Sequence, residues 1–256
     1  DVETVFKTDT KDFTPHNYDG KEHGIVTLRQ ALAGSLNIPA VKTLYLTGVD
    51  RVLDFAQKLG YSTLNDRSLF GLALVLGGGE VKLLDHVSAY SVFAREGTKI
   101  PPVSILKVTD SKGNVLDEWK QEPSSEVVAP QVVRELTSIM TDDSARAYVF
   151  GAGSALTLKD RLVAAKTGTT NDWRDGWTMG FTPSLVAGVW VGNNDNTPMK
   201  KGSDGVLVAA PIWNKFMKES LKNTPPEPFA PPEPYPTDLK PILRGEGFGL
   251  IRIAIN

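Results

Sequence analysis

Three apolar runs, at about 161–169, 176–182 and 185–192, are separated only by "NDWRD" and "TPS". A parallel crossover needs a dozen or more residues, so joints this short force antiparallel pairing. The other apolar patterns are helical. Thr27 can cap a helix on which Leu28, Ala31, Leu32 and Leu36 recur at helical spacing. Pro39 breaks that run, which leaves "SLN" at 35–37 in a turn or helix end, with a second helix from about Pro39. "VDRVLDFAQKLG" sets Val52, Leu53, Ala56 and Leu59 on one face and stops at Gly60. "KLLDHVSAYSVFAREG" repeats the design, with Leu83, Leu84, Val87, Tyr90 and Phe93 inward and Gly97 at its end. "PQVVRELTSIM" and "APIWNKFMKESL" read as further helices. "PPVSILKVTDSKGNVLDEWK" alternates about a turn at Ser111–Asn114 and reads as a β-hairpin. Helices first and a meander later predict an α+β fold with helices packed on an antiparallel sheet.

Composition narrows the chemistry. With no cysteine, disulfide scaffolds, zinc ribbons and thiol nucleophiles are excluded. A formal net charge of -2 without a basic tract gives no electrostatic footprint for nucleic acid. No apolar run is long enough to span a bilayer. The opening residues read as the middle of a domain, so the chain is expected to be a piece of a longer protein. From Thr224 the composition changes to "TPPEPFAPPEPYP". The expected organisation is therefore a folded portion over 1–222, an extended proline-rich linker over 223–237, and a tail over 238–256 with a possible strand at "LIRIAI".

Most generic motifs fail on context. His16, His23 and His86 lack the helical pair spacing of a zinc site, and His86 reads as a surface or boundary residue on its helix. "GGGE" at 77–80 lacks the Lys-Ser/Thr of a phosphate loop, and "GEGFGL" lacks a strand–turn–helix frame. "NNDN" at 193–196 reads as a polar turn. No metal or cofactor is expected.

The strand at 161–169 is different, because Lys166, Thr167, Gly168 and Thr169 stand at its end. Glycine weakens a strand interior and often marks close approach by a ligand or another backbone. An extended substrate ending in a carboxylate could pair with the strand edge while the ammonium and hydroxyls hold its anionic end. The plainer alternative is an exposed strand end whose Lys and Thr face water. Upstream, Ser35 and Asn37 can point from one turn into one cleft. The hydroxyl could relay a proton, and the carboxamide could both donate to and accept from a substrate amide.

"YDGKEHGIVTLRQALAGSLNIPAVK", "LALVLGGGEVKLLDHVSAYSVFAREGTKIPP" and "AAKTGTTNDWRDGWTMGFTPSLVAGVWVGNNDNTPM" together resemble the transpeptidase domain of class A penicillin-binding proteins, from about Phe13 to Leu221. The resemblance implies the penicillin-binding-protein/serine β-lactamase-like fold, with its N-terminal part missing here. It implies a D,D-transpeptidase that cross-links peptidoglycan stem peptides through a serine acyl-enzyme and that β-lactams acylate as mimics. By resemblance, Ser35 is the proton-relay serine and Asn37 binds the substrate amide. Lys166 is the strand lysine with electrostatic and proton-transfer roles, and Thr167 and Thr169 hold the terminal carboxylate beside Gly168. The Thr169 backbone N–H supplies one oxyanion donor. The family works at the outer face of the bacterial cytoplasmic membrane, anchored through an upstream segment.

The family's Ser-x-x-Lys nucleophile motif should precede "SLN" by several dozen residues. The literal match here, "SILK" at Ser104–Lys107, follows "SLN" and falls in the predicted hairpin. Residues three apart on a strand face opposite sides, so Lys107 could not serve Ser104 as base. The nucleophile is therefore expected on an upstream segment of the same protein that acts as a partner of this chain. Two rivals stay open. A serine β-lactamase would need a glutamate to activate its deacylating water, for which Glu80 and Glu96 are candidates by position. A non-catalytic binding or sensor module would keep the cleft without the nucleophile.

Overall fold

The computed structural model describes residues 1–8, 11–120, 124–151 and 153–240. The expected strand at "LIRIAI" lies outside them. The helices run α1 (Leu28–Ala33), α2 (Asn37–Thr47), α3 (Val49–Leu59) and α4 (Leu83–Ala94). After α4 come short strands β1 (Thr98–Lys99), β2 (Lys107–Thr109), β3 (Val115–Glu118) and β4 (Ser125–Glu126). Helices α5 (Pro130–Met140) and α6 (Asp143–Phe150) lead into β5 (Ala164–Thr169), β6 (Asp175–Phe181) and β7 (Val186–Gly192). The four-residue helix α7 (Gly205–Val208) and then α8 (Ala210–Leu221) follow.

The meander forms as its joints require: β5, β6 and β7 make an antiparallel sheet in that order, with Lys166 opposite Met179 and Gly168 opposite Trp177. Helices cover both faces. On one, Trp213 and Met217 of α8 pack with Ala165 and Ala187. A methyl on Gly180 would collide with the Trp213 ring at 2.4 Å, so the indole lies flat on the strand. On the other face, Met140 of α5 packs with Ala164 and Phe181, flanked by Tyr90 and Phe93 of α4.

Several expectations need correction. The second helix starts at Asn37, so Pro39 lies in its first turn, where the backbone N–H groups have no intrahelical partner and proline is tolerated. On α4 the buried positions are Ala89 and Val92, and Leu83 and Leu84 are exposed because they lie a turn or more before the packed stretch. The hairpin forms, but β2 begins at Lys107, so Ser104 occupies an exposed bend before it rather than a strand. Pro101 and Pro102 lie just before Ser104, and proline cannot donate to a ladder.

The proline-rich stretch carries no helix or strand, yet it does not run free of the fold as an unpacked linker would. Phe229 meets Phe181 edge-on at 5.7 Å, and the Glu233 backbone exchanges hydrogen bonds with the Gln131 side chain at 2.8 and 3.2 Å. An aromatic ring among the prolines found an apolar seat, which composition alone does not show.

Candidate active site

The site grows from two turns. Thr27 and Gln30 form a reciprocal capping box that starts α1. The helix ends after one and a half turns at Gly34, where a side chain would stand 2.8 Å from both the Gln30 carbonyl oxygen and Val149 Cγ2. Ser35 follows with φ 56°, a left-handed conformation unusual for serine. That reversal swings the chain into α2, with Asn37 as its first residue.

Asn17, buried in the N-terminal loop, fixes this turn. Its Oδ1 accepts the backbone N–H of Asn37 at 2.9 Å and of Ile38 at 3.3 Å, satisfying two donors at the start of α2. Its amide donates to the Asp1 carboxylate and the Lys21 carbonyl. The Asn37 side chain donates to the His16 carbonyl at 2.8 Å. Its Oδ1 has no protein donor among the described residues and remains free to accept.

Strand β5 supplies the opposite wall. Lys166 Nζ donates to Ser35 Oγ at 2.5 Å and to the Thr167 carbonyl at 2.8 Å. Two side chains 131 residues apart thus form one polar pair. Burial, and after it the Arg146 guanidinium, pushes the Lys166 ammonium down to about 8. Thr167 and Thr169 alternate to the face away from Lys166, opposite Thr178 and Gly176. There the Thr169 hydroxyl accepts the Gly205 backbone N–H at 2.9 Å. β5 is an edge strand of its sheet, so its outer backbone groups can pair with an extended ligand. A Cβ on Gly168 would touch only Trp177 Cβ, at an ordinary 3.4 Å, so the space above that glycine is otherwise open.

Two groups near the site escaped the sequence reading. Asn17 sits in a loop with no periodic signal. Arg146 lies on α6, a short helix whose start is marked by Asp142, which accepts the Ala145 N–H. That acidic cap was the available signal. Of the two glutamates considered for a lactamase, Glu96 is held by Arg134 at 3.0 Å, beside a cavity of about 230 Å³ lined also by Phe93 and Phe229.

This arrangement of an antiparallel sheet and its covering helices is the fold of penicillin-binding proteins. The structure aligns with Haemophilus influenzae penicillin-binding protein 1A at TM-score 0.80 and 24% identity, over 91% of this chain and 40% of that one. It aligns with Mycobacterium tuberculosis PonA1, solved in complex with penicillin V, at TM-score 0.76 and 27% identity, over 90% of this chain and 65% of that one.

The chain belongs to the penicillin binding protein transpeptidase domain family, which matches residues 2–218. It is 39% identical over 232 residues to penicillin-binding protein 1A of Aquifex aeolicus, and 35% identical over 238 residues to penicillin-binding protein 2D of Bacillus subtilis. Each match takes 90% of this chain but 31% and 33% of the relative, so the chain spans about a third of the length of these proteins. The domain is of the kind carried by PBP1A-type class A penicillin-binding proteins.

Proposed function

We propose that this domain forms the substrate-binding half of a serine D,D-transpeptidase that cross-links peptidoglycan stem peptides and is acylated by β-lactams. The observation that carries the reading is the contact between Lys166 Nζ and Ser35 Oγ. An ammonium hydrogen-bonded to a hydroxyl at a strand edge can pass a proton to a departing amine. Asn37 Oδ1 then accepts from the substrate amide, while the Thr167 and Thr169 hydroxyls hold the terminal carboxylate. The Thr169 N–H contributes to the oxyanion hole. Gly168 leaves room for the substrate backbone.

The attacking serine belongs, on this reading, to a Ser-x-x-Lys helix outside these 256 residues. Ser104 and Lys107 are exposed at the start of the separate β2–β3 hairpin, where Lys107 pairs with Glu118 at 3.4 Å. Against the lactamase reading, one of its two candidate glutamates, Glu96, is committed to Arg134. The penicillin V complex of PonA1 supports β-lactam binding by this fold. Among the described residues no helix is long and apolar enough to cross a membrane. Anchoring at the outer face of the cytoplasmic membrane would fall to another segment.

Incubating the 256-residue chain with excess penicillin should yield no covalent adduct by intact mass. Supplying the Ser-x-x-Lys segment in trans should restore one. A stoichiometric adduct on Ser35 or Ser104 of the isolated chain would overturn the assignment. Rapid drug turnover by the reassembled halves would identify a lactamase instead.

A further inference from the structure

The two walls of the site are joined at a second place besides the Lys166–Ser35 pair. Residues 17–20 form a turn in which the Gly20 N–H donates to the Asn17 carbonyl at 3.0 Å. Tyr18 stands on this turn 71% exposed, yet its hydroxyl donates to Asp204 Oδ2 at 2.6 Å. That length is the one expected of a hydroxyl bound to a carboxylate. Asp204 itself is 9% exposed, and its other oxygen accepts the Trp173 indole N–H at 3.0 Å. Among the described residues its carboxylate has no cationic partner, only these two neutral donors. Asp204 is also the N-cap of α7, where an aspartate ordinarily caps its own helix, but it makes no side-chain cap bond. The carboxylate is turned instead to two other segments of the chain.

These contacts close a ring around the substrate-binding residues. Asn37, two residues after Ser35, is tied to Asn17 at 2.9 Å, and Tyr18 follows Asn17 and reaches Asp204. Gly205, next to Asp204, donates to the Thr169 hydroxyl at 2.9 Å, and further back along β5 Lys166 returns to Ser35. Asn37 lies on one side between the two links, and Thr167, Gly168 and Thr169 lie on the other. Trp173 brings in the turn after β5, where Asp172 and Trp173 take φ 60° and 53°, uncommon for residues with side chains. Such backbone persists only where surrounding contacts over-determine it, and the bond to Asp204 is one of them.

We propose that Tyr18, Asp204 and Trp173 form a clasp that fixes the spacing between the Asn37 wall and the Thr167–Thr169 wall, so that an extended acyl-dipeptide or its β-lactam mimic is captured between them. This rests on the transpeptidase reading. The three are positioning residues that act through Asn37 and Thr169. Since the Lys166–Ser35 pair is a separate link, loosening the clasp weakens capture more than it slows the reacting step.

The test uses the full-length protein and stopped-flow acylation by a chromogenic cephalosporin, which separates the half-saturating concentration from the saturated rate. Tyr18→Phe keeps the exposed ring and removes only the hydroxyl. It should raise half-saturation at least about fivefold while the saturated rate moves less than about twofold. Asp204→Asn should act in the same direction, and the double variant should be no worse than the worse single, because both cut one link. Unchanged half-saturation in Tyr18→Phe, or a loss confined to its saturated rate, would overturn the clasp and leave the transpeptidase reading standing. Hydrogen exchange on the same proteins follows the link without the drug. Tyr18→Phe should speed amide exchange at 203–205, and unchanged exchange there would also overturn the clasp. Wild-type protein that takes up no drug would overturn the transpeptidase reading and with it the capture role, whereas faster exchange in Tyr18→Phe would still establish the link.

Discussion

A methyl group on Gly205 would stand 2.3 Å from the carbonyl oxygen of Gly168, so the start of α7 rests directly on the backbone of the site strand. The same methyl would meet the Trp177 carbonyl oxygen at 2.6 Å and its nitrogen at 3.0 Å. All three obstacles are backbone atoms that cannot rotate aside. Gly205→Ala should therefore lift α7, break the bond from Gly205 N–H to the Thr169 hydroxyl, and cost about 1–3 kcal/mol of stability. Urea denaturation checks the cost. If the variant keeps wild-type stability, the helix can slide without strain and the close contact carries no weight.

Gly168 makes the opposite prediction. Its own Cβ position meets Trp177 Cβ at 3.4 Å, which is ordinary contact, so the fold should accept a side chain there. Gly168→Val should melt close to wild type in the complete protein while losing labelling by fluorescent penicillin. Undiminished labelling would show that no ligand backbone passes over this residue.

His86 should make stability pH-dependent. It is packed edge-on to Tyr90 and Trp177, and its Nδ1 lies 2.5 Å from Tyr61 Oη. Burial pushes its imidazole down to about 4 from an ordinary 6.5. Between those values the unfolded chain takes up a proton that the folded chain refuses. Stability therefore falls as pH drops from about 6.5 toward 4, by at most about 1.4 kcal/mol per pH unit from this group. Denaturation midpoints near pH 7 and about pH 5 should separate for wild type, and His86→Phe should narrow the gap. An equal gap in both proteins would assign the dependence to other groups.

Much of the architecture was legible because it rests on local rules. The antiparallel meander followed from the lengths of "NDWRD" and "TPS", and the end of α3 from Gly60, which takes φ 108°. Where local rules misled, the cause was long-range packing. Leu83 and Leu84 fit the helical period but lie beyond the packed stretch of α4, so they face water. The proline-rich segment has the composition of a linker, yet Phe229 docks on Phe181. α6 was passed over because its apolar face is weak, its buried residue being Arg146 rather than an aliphatic side chain.

The sequence by itself determined which groups the site could draw on: Ser35 and Asn37 in a turn, and Lys166, Thr167, Gly168 and Thr169 at a strand end. Residue type and spacing suffice for that, because turns and strands are set by a few neighbouring residues. Only the tertiary structure decided that Lys166 Nζ meets Ser35 Oγ, that Asn17 holds the Asn37 turn, and that Arg146 is buried. The physical reason is that a contact across 131 residues depends on how helices seat on a sheet. That seating is fixed by the summed packing of many side chains, which leaves no periodic trace at the positions it brings together.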